Sequence, residues 1–215
     1  IVVADDNPDV VKSAGDRVKK WSTMGMWLPE KDVPFFQLNF QDVQKVLGDA
    51  LADPNDEIRQ GAAFVVKRIG PTASPLEPVL IQRIETEPSR IVRMYLFSAV
   101  RSLEAKSDRM LTVLRTQFVE LEKEPEFRKR PHDYTAIDER ITLASALLDL
   151  DNVPAPKAEY REFLLQWLNP VPEDLSDTMR EDFWKHRWLV VNVVEETGNP
   201  PEALTLLEAM MKEPD

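Results

Sequence analysis

Residues 50–70 read ALADPNDEIRQGAAFVVKRIG. Asp53 is placed to cap a helix, and Pro54 suits a first helical position, where its missing N–H would be unpaired anyway. Asp56 sets negative charge against the positive helix end. Ile58, Ala62, Val65, Val66 and Ile69 then recur at three- and four-residue spacing until Gly70-Pro71 stops the helix. Upstream, Asn39 stands as a cap before a second stripe of Val43, Val46, Leu47, Ala50 and Leu51. Two short amphipathic helices joined by a tight turn make an αα-hairpin.

The pattern returns. With Arg59 as the register mark, Arg93 lies 34 residues on, Arg140 a further 47 and Arg187 another 47. Positions +3, +6, +7 and +10 after each arginine read Ala62, Val65, Val66, Ile69, then Leu96, Ala99, Val100, Leu103. They continue as Leu143, Ala146, Leu147, Leu150 and Val190, Val193, Val194, Thr197, where Thr197 alone is not apolar. Gly70 and Gly198 both stand at +11, the glycine position of a helix C-terminus. A recurring helical unit of this size marks a solenoid, in which each pair buries its face only against its neighbours.

Asp53-Pro54 followed by Ile58-Arg59 resembles the aspartate–proline and valine–arginine signature of HEAT repeats. Glu87-Pro88 with Val92-Arg93 repeats it, and Asn7-Pro8 with Val11-Lys12 is a weaker copy. The third and fourth copies depart, with Glu139 and His186 where an apolar residue belongs before the arginine. The resemblance implies an all-α right-handed superhelix of about ten helices, with partial repeats at both ends, and a ladder of contacts between repeats. Asp53, Arg59 and Arg93 are therefore expected to be structural. One solenoid domain is expected over 1–215, with a partial repeat and irregular loop at 1–38, two regular repeats at 39–104 and irregular repeats with insertions at 105–215.

Composition narrows the function. The net charge of −11 makes the chain a poor binder of phosphate backbones or anionic membrane, so nucleic acid is disfavoured. No apolar run reaches the roughly 20 residues a membrane span needs. Zero cysteine removes disulfides, thiolate zinc sites and cysteine nucleophiles. That lack, and a start at Ile1 without Met, lean toward a place outside the cytoplasm. The start without a partner helix, and an unfinished turn at Lys212–Asp215, suggest a piece of a longer polypeptide.

Along the chain, Asn7 caps a helix bearing Val11, Ala14, Val18 and Trp21. Residues 22–38 read as an irregular packed loop containing Met24, Met26, Trp27, Leu28, Phe35 and Phe36. Ser74-Pro75-Leu76-Glu77 reads as a capping box. A helix from Ser107 carries Leu111, Leu114, Phe118 and Leu121, and insertions follow at 122–136 and 169–175. They are expected on one edge, where Arg128, Lys129 and Arg130 would meet Glu173 and Asp174. Tyr160, Phe163, Leu164 and Trp167 mark the next first helix, a long helix spans about Ser176–Thr197, and a last one follows Pro200.

Catalytic chemistry finds little here. His132 and His186 sit in different repeats, Glu120, Glu122, Glu124 and Glu126 read as a solvated face, and no phosphate loop, G-x-S-x-G or H-E-x-x-H occurs. No catalytic residue, metal or cofactor is assigned. The leading expectation is a non-catalytic scaffold that binds another protein along its concave groove. The competing one is a ligand-binding or enzymatic HEAT-like domain, bilin-lyase-like or DNA-glycosylase-like; the glycosylases use aromatic groups as Trp188 would be used. Trp184 and Trp188 themselves read as core or groove packing. Opposite the buried stripe, positions +1, +5 and +8 form the candidate binding ribbon: Gln60, Phe64, Lys67; Met94, Ser98, Arg101; Ile141, Ser145, Leu148; Trp188, Asn192, Glu195. The basic cluster Arg128, Lys129, Arg130 joins it as a contact for an acidic partner.

Overall fold

The computed structural model of the chain describes residues 7–23, 29–103, 107–123, 136–151, 153–168, 177–196, 204–205 and 207–208. The fold is all-α, with no strand among the described residues. The helices are α1 (Pro8–Thr23), α2 (Val33–Leu38), α3 (Phe40–Leu51), α4 (Asp56–Ile69), α5 (Glu77–Thr86), α6 (Arg90–Leu103), α7 (Asp108–Glu122), α8 (Ala136–Leu150), α9 (Pro154–Leu165) and α10 (Asp177–Glu196). Short 3-10 turns cover Glu30–Asp32, Gly70–Leu76 and Gln166–Leu168. Two compact units result, residues 1–113 and 114–215, with α7 running from the first into the second.

In the first unit α1, α4 and α6 pack side by side, and α3 packs on α5. The second helix of each pair thus lies in one layer and the first helices in another. In the second unit α8 packs on α9 and α10, and the Gln166–Leu168 turn packs on both α9 and α10. The +3, +6, +7, +10 stripe is the core of these layers: every member with a described side chain, from Ala62 to Val190, is buried. Each large side chain so removed from water contributes about 1.5–3 kcal/mol. Val193, Val194 and Thr197 lie outside the described side chains.

Local chemistry differs from the sequence reading at three caps. Helix α4 starts two residues later than Asp53-Pro54 suggests, because Asn55 is the cap and its Oδ1 accepts from Glu57 N at 2.9 Å. Asn39 stands at the N-cap of α3, but its side chain donates backward to Phe35 O at 2.7 Å and closes α2 instead. Ser74 builds no capping box: Gly70–Leu76 continues as a 3-10 turn, and its hydroxyl donates to carbonyls, including Leu103 O at 3.4 Å. Asn7 and Ser107 do cap, through Asp9 N at 3.1 Å and Met110 N at 3.1 Å.

Residues 33–38 are helical rather than irregular. Phe36 is buried, Phe35 meets it edge to face at 5.3 Å, and the Arg17 guanidinium lies 4.5 Å over the Phe35 ring. Gln37 Nε2 donates to Ile69 O at 3.0 Å, tying α2 to the end of α4. Met24, Met26, Trp27 and Leu28 lie outside the described residues.

Gly70 ends α4 at φ 70°, ψ −142°, a conformation open in practice only to glycine. An added Cβ would meet Ser102 O at 3.7 Å, an ordinary contact, so the penalty for a side chain is conformational rather than steric. Gly70→Ala is expected to lower stability by about 1–3 kcal/mol with an unchanged helical spectrum, read from urea midpoints.

Candidate interaction surface

Buried charge is where chemistry would reside, and in this chain it is paired. Glu87, in the turn between α5 and α6, is buried and accepts from Arg59 Nε at 2.8 Å and Nη2 at 2.7 Å. Arg83 Nη2 adds 2.7 Å and Ser89 N 3.0 Å, so both carboxylate oxygens are doubly used. The remaining nitrogen of Arg59 donates to Asp53 O at 2.8 Å and Pro54 O at 2.9 Å. Arg93 repeats this grip one pair later, on Glu87 O at 2.7 Å and Pro88 O at 3.3 Å. Burial would raise the Glu87 pKa, but Arg59, Arg83 and the Ser89 N–H outweigh it and hold the carboxyl below its usual range. The bond to Glu87 in turn raises Arg59. These groups are structural, as Arg59 and Arg93 were expected to be. The Asp53 carboxylate instead accepts from Asn55 N at 2.9 Å.

The second unit holds a parallel clamp that the sequence reading missed. Asp151, at the end of α8, is buried and accepts from Arg115 Nε at 2.8 Å and Nη2 at 2.7 Å. Val153 N at 2.9 Å and the Tyr160 hydroxyl at 3.3 Å complete it. Arg115, against the cost of burial, holds Asp151 below its usual pKa. Burial, then the Asp151 charge, push the Tyr160 phenol up to about 12.

A third group is made of Asp138 and Glu139 in the first turn of α8, and Lys185, His186 and Arg187 on α10. Lys185 Nζ reaches Asp138 Oδ2 at 3.0 Å, and His186 Nε2 lies 3.5 Å from Asp138 Oδ1. The His186 ring sits 4.8 Å from that of Trp167, and Arg187 Nη2 donates to Leu168 O at 3.1 Å. A carboxylate beside an imidazole has the elements of a general base, yet both side chains are fully buried as packed. Among the described residues no group of three or more His, Asp or Glu is placed to hold a metal ion. Glu120 and Glu122 are exposed and pair with Lys123 at 2.6 Å and Arg140 at 3.3 Å.

The +1, +5, +8 ribbon is continuous on α4 and α6, where Gln60, Phe64, Met94, Ser98 and Arg101 are half-buried and Lys67 is exposed. Phe64 meets Tyr95 edge to face at 6.2 Å across the two helices. On α8 the ribbon ends. Ile141 is 1% exposed and Ser145 is also buried, because α8 is covered nearly all round, from Ile137 through Ala144 to Leu150. Ile141 is therefore core and not surface, while Leu148 is half-buried. On α10, Trp184 is 43% and Trp188 67% exposed, so neither is in the core. Arg187 covers one face of Trp184 at 4.8 Å, and Asn192 is half-buried. Glu195 and the loop residues Arg128, Lys129, Arg130, Glu173 and Asp174 lie outside the described side chains, and with them the pairing expected between the two insertions.

No helix among the described residues is long and apolar enough to cross a membrane. Comparison with known proteins finds no matching family model, curated protein or solved structure.

Two measurements check these assignments. Glu87→Gln leaves the buried Arg59 guanidinium and the half-buried Arg83 undercompensated, so stability at neutral pH should fall by about 3–5 kcal/mol. Since the folded pKa of Glu87 lies below 4.5, its contribution is complete above that pH and is lost as pH falls through the folded value. The variant should accordingly show a shallower acid limb in stability against pH. Ile141→Ser should cost about 2–4 kcal/mol, whereas Trp188→Ser should stay within about 0.5 kcal/mol of the parent in denaturant melts.

Proposed function

We propose that the protein is a non-catalytic scaffold of HEAT-like helix pairs that binds another protein along the outward faces of its second helices. The observation carrying this reading is the half-buried apolar and aromatic surface of Phe64 and Met94, opposite the buried stripes of α4 and α6, with Tyr95 against Phe64 at its edge. Trp188, two-thirds exposed on α10, adds a large side chain of the kind that anchors interfaces. A purely solvated helix face would be mostly charged. The buried carboxylates of Glu87 and Asp151, by contrast, are committed to holding turns together.

The competing reading, a ligand-binding or enzymatic domain, draws on the Asp138–His186 contact beside the aromatic Trp188 of the same helix, and it requires both buried groups to become accessible. The test is a comparison of partners captured by the parent, by Phe64→Ser/Met94→Ser and by Trp188→Ser. A scaffold loses its partners in these variants while its melting temperature holds. Capture unchanged in all of them, or Trp167 fluorescence that responds to a small molecule, would remove the scaffold reading.

A further inference from the structure

Helices α1 and α3 pack on each other in the first unit, and a groove runs along their junction. It extends from Pro8 and Asp42 at one end to Lys19 and Ile58 at the other, through adjoining cavities of about 400 and 360 Å³ that share Val11, Val46 and Asp49. At 1.5 Å per residue this is about 16 Å, or roughly three helical turns. Ala14 and Val18 of α1, and Val43, Leu47 and Leu51 of α3, are buried in the core. Val11 and Gly15 on one wall, and Val46 and Ala50 on the other, are only half-buried and line the groove. Each pair has four-residue spacing, the row against which the ridge of a further helix packs.

Neither conformation nor packing calls for glycine at position 15. Its φ is not positive, since Gly70 alone among the described glycines has that conformation. A Cβ at Gly15 would meet Val46 Cγ1 at 3.8 Å, an ordinary contact. Glycine inside a helix weakens it relative to alanine, and what it offers in return is close approach of another backbone. The repeat indicates what shape would approach. Helix α3 packs on both α4 and α5, filling the angle between a second helix and the next first helix. One step back along the array the same angle lies between α1 and α3, and no described helix occupies it. Lys12 and Lys45 flank the groove near Pro8; both are exposed, and neither forms an ion pair among the described residues. Of the acids at that end, Asp42 accepts from Asn7 N at 3.2 Å and Asp49 already has a partner within the molecule.

We propose that this groove receives one amphipathic helix of a partner protein, lying across Gly15 with an apolar ridge inward and carboxylates toward Lys12 and Lys45. The apolar ridge supplies the desolvated area, and the lysine pair sets the sign of the flank and speeds encounter. The groove is separate from the outward faces of α4 and α6 and does not depend on their use. A second copy of this chain fits less well, because the apolar stripes of its described helices are already buried in its own core.

The experiment uses the full chain and fluorescence anisotropy with three labelled helical peptides. One carries Leu at i, i+3, i+4 and i+7 with Glu on the flanks, the second has Lys for Glu, and the third scrambles the order of the first. The Glu peptide should bind, the Lys peptide more weakly, and the scrambled peptide not at all. Gly15→Leu, which places a side chain in the groove, should weaken binding by about tenfold or more while the melting temperature holds. Gly15→Ala should weaken it less and raise the melting temperature. Lys12→Glu/Lys45→Glu, made on exposed side chains, should reverse the preference between the Glu and Lys peptides, and it carries the test if Gly15→Leu impairs folding. Phe64→Ser/Met94→Ser should bind as the parent does, which separates this groove from the α4/α6 face. Equal binding of ordered and scrambled peptides, or affinity unchanged in folded Gly15→Leu, overturns the proposal. Self-association abolished by Gly15→Leu would assign the groove to a second copy and overturn the partner helix, and no binding of any peptide would overturn it too.

Discussion

A buried carboxylate is costly unless its oxygens are paired, and the turn at Glu87 is built around that constraint. Moving an ion of this size out of water costs several kcal/mol even after relaxation. Arg59 from the pair before, Arg83 from its own helix and the Ser89 N–H together offset it. The geometry this demands is narrow. Arg59 must cross to Glu87 while its other nitrogen holds the Asp53 and Pro54 carbonyls, so the end of one turn fixes the position of the next. The apolar stripe provides most of the stabilisation and little directional preference. The arginine sets the register.

The same solution recurs with different residues. Asp53, Glu87 and Asp151 each follow a helix, and each accepts from the N–H two residues on. Arg59 and Arg115 each close a bidentate pair on the acid of a later turn. Planar guanidinium suits this because a fork of donors meets both carboxylate oxygens at once, which a lysine ammonium cannot do.

Much of the architecture was legible because burial repeats with the helical period. The +3, +6, +7, +10 positions recur whatever the length of the connection, so Arg59, Arg93, Arg140 and Arg187 aligned helices 34 or 47 residues apart. Cap identity was less legible. Asp53 and Asn55 both have short polar side chains that can bond a backbone N–H two residues on, and which one begins the helix depends on where Arg59 pulls the turn. Asp151 was missed because its partner Arg115 lies 36 residues upstream on a first helix, outside the register that Arg59 defines. Ile141 was misplaced for a related reason. Periodicity locates one apolar face, but a helix packed on several sides buries the opposite face too, and the signal for that was the uninterrupted Ile141–Leu150 composition with few charges. Trp188 is exposed where its +1 position, opposite the buried stripe, places it, and of the two alternatives of core or groove packing the exposure of both Trp184 and Trp188 excludes the core.

The forward reach of Arg59 also bears on how such a chain can change length. Each clamp spans one boundary: it needs an arginine on the earlier helix and an acid in the following turn, and nothing further along. A duplicated helix pair that carries both halves inserts as a self-consistent tile, sending its arginine to the acid ahead and offering its own acid to the arginine behind. A segment that lacks one half strands a charged group in the interior at every junction it creates. Growth or loss in this part of the molecule is thereby restricted to whole tiles, cut at the acidic turns, while insertions elsewhere meet no such rule.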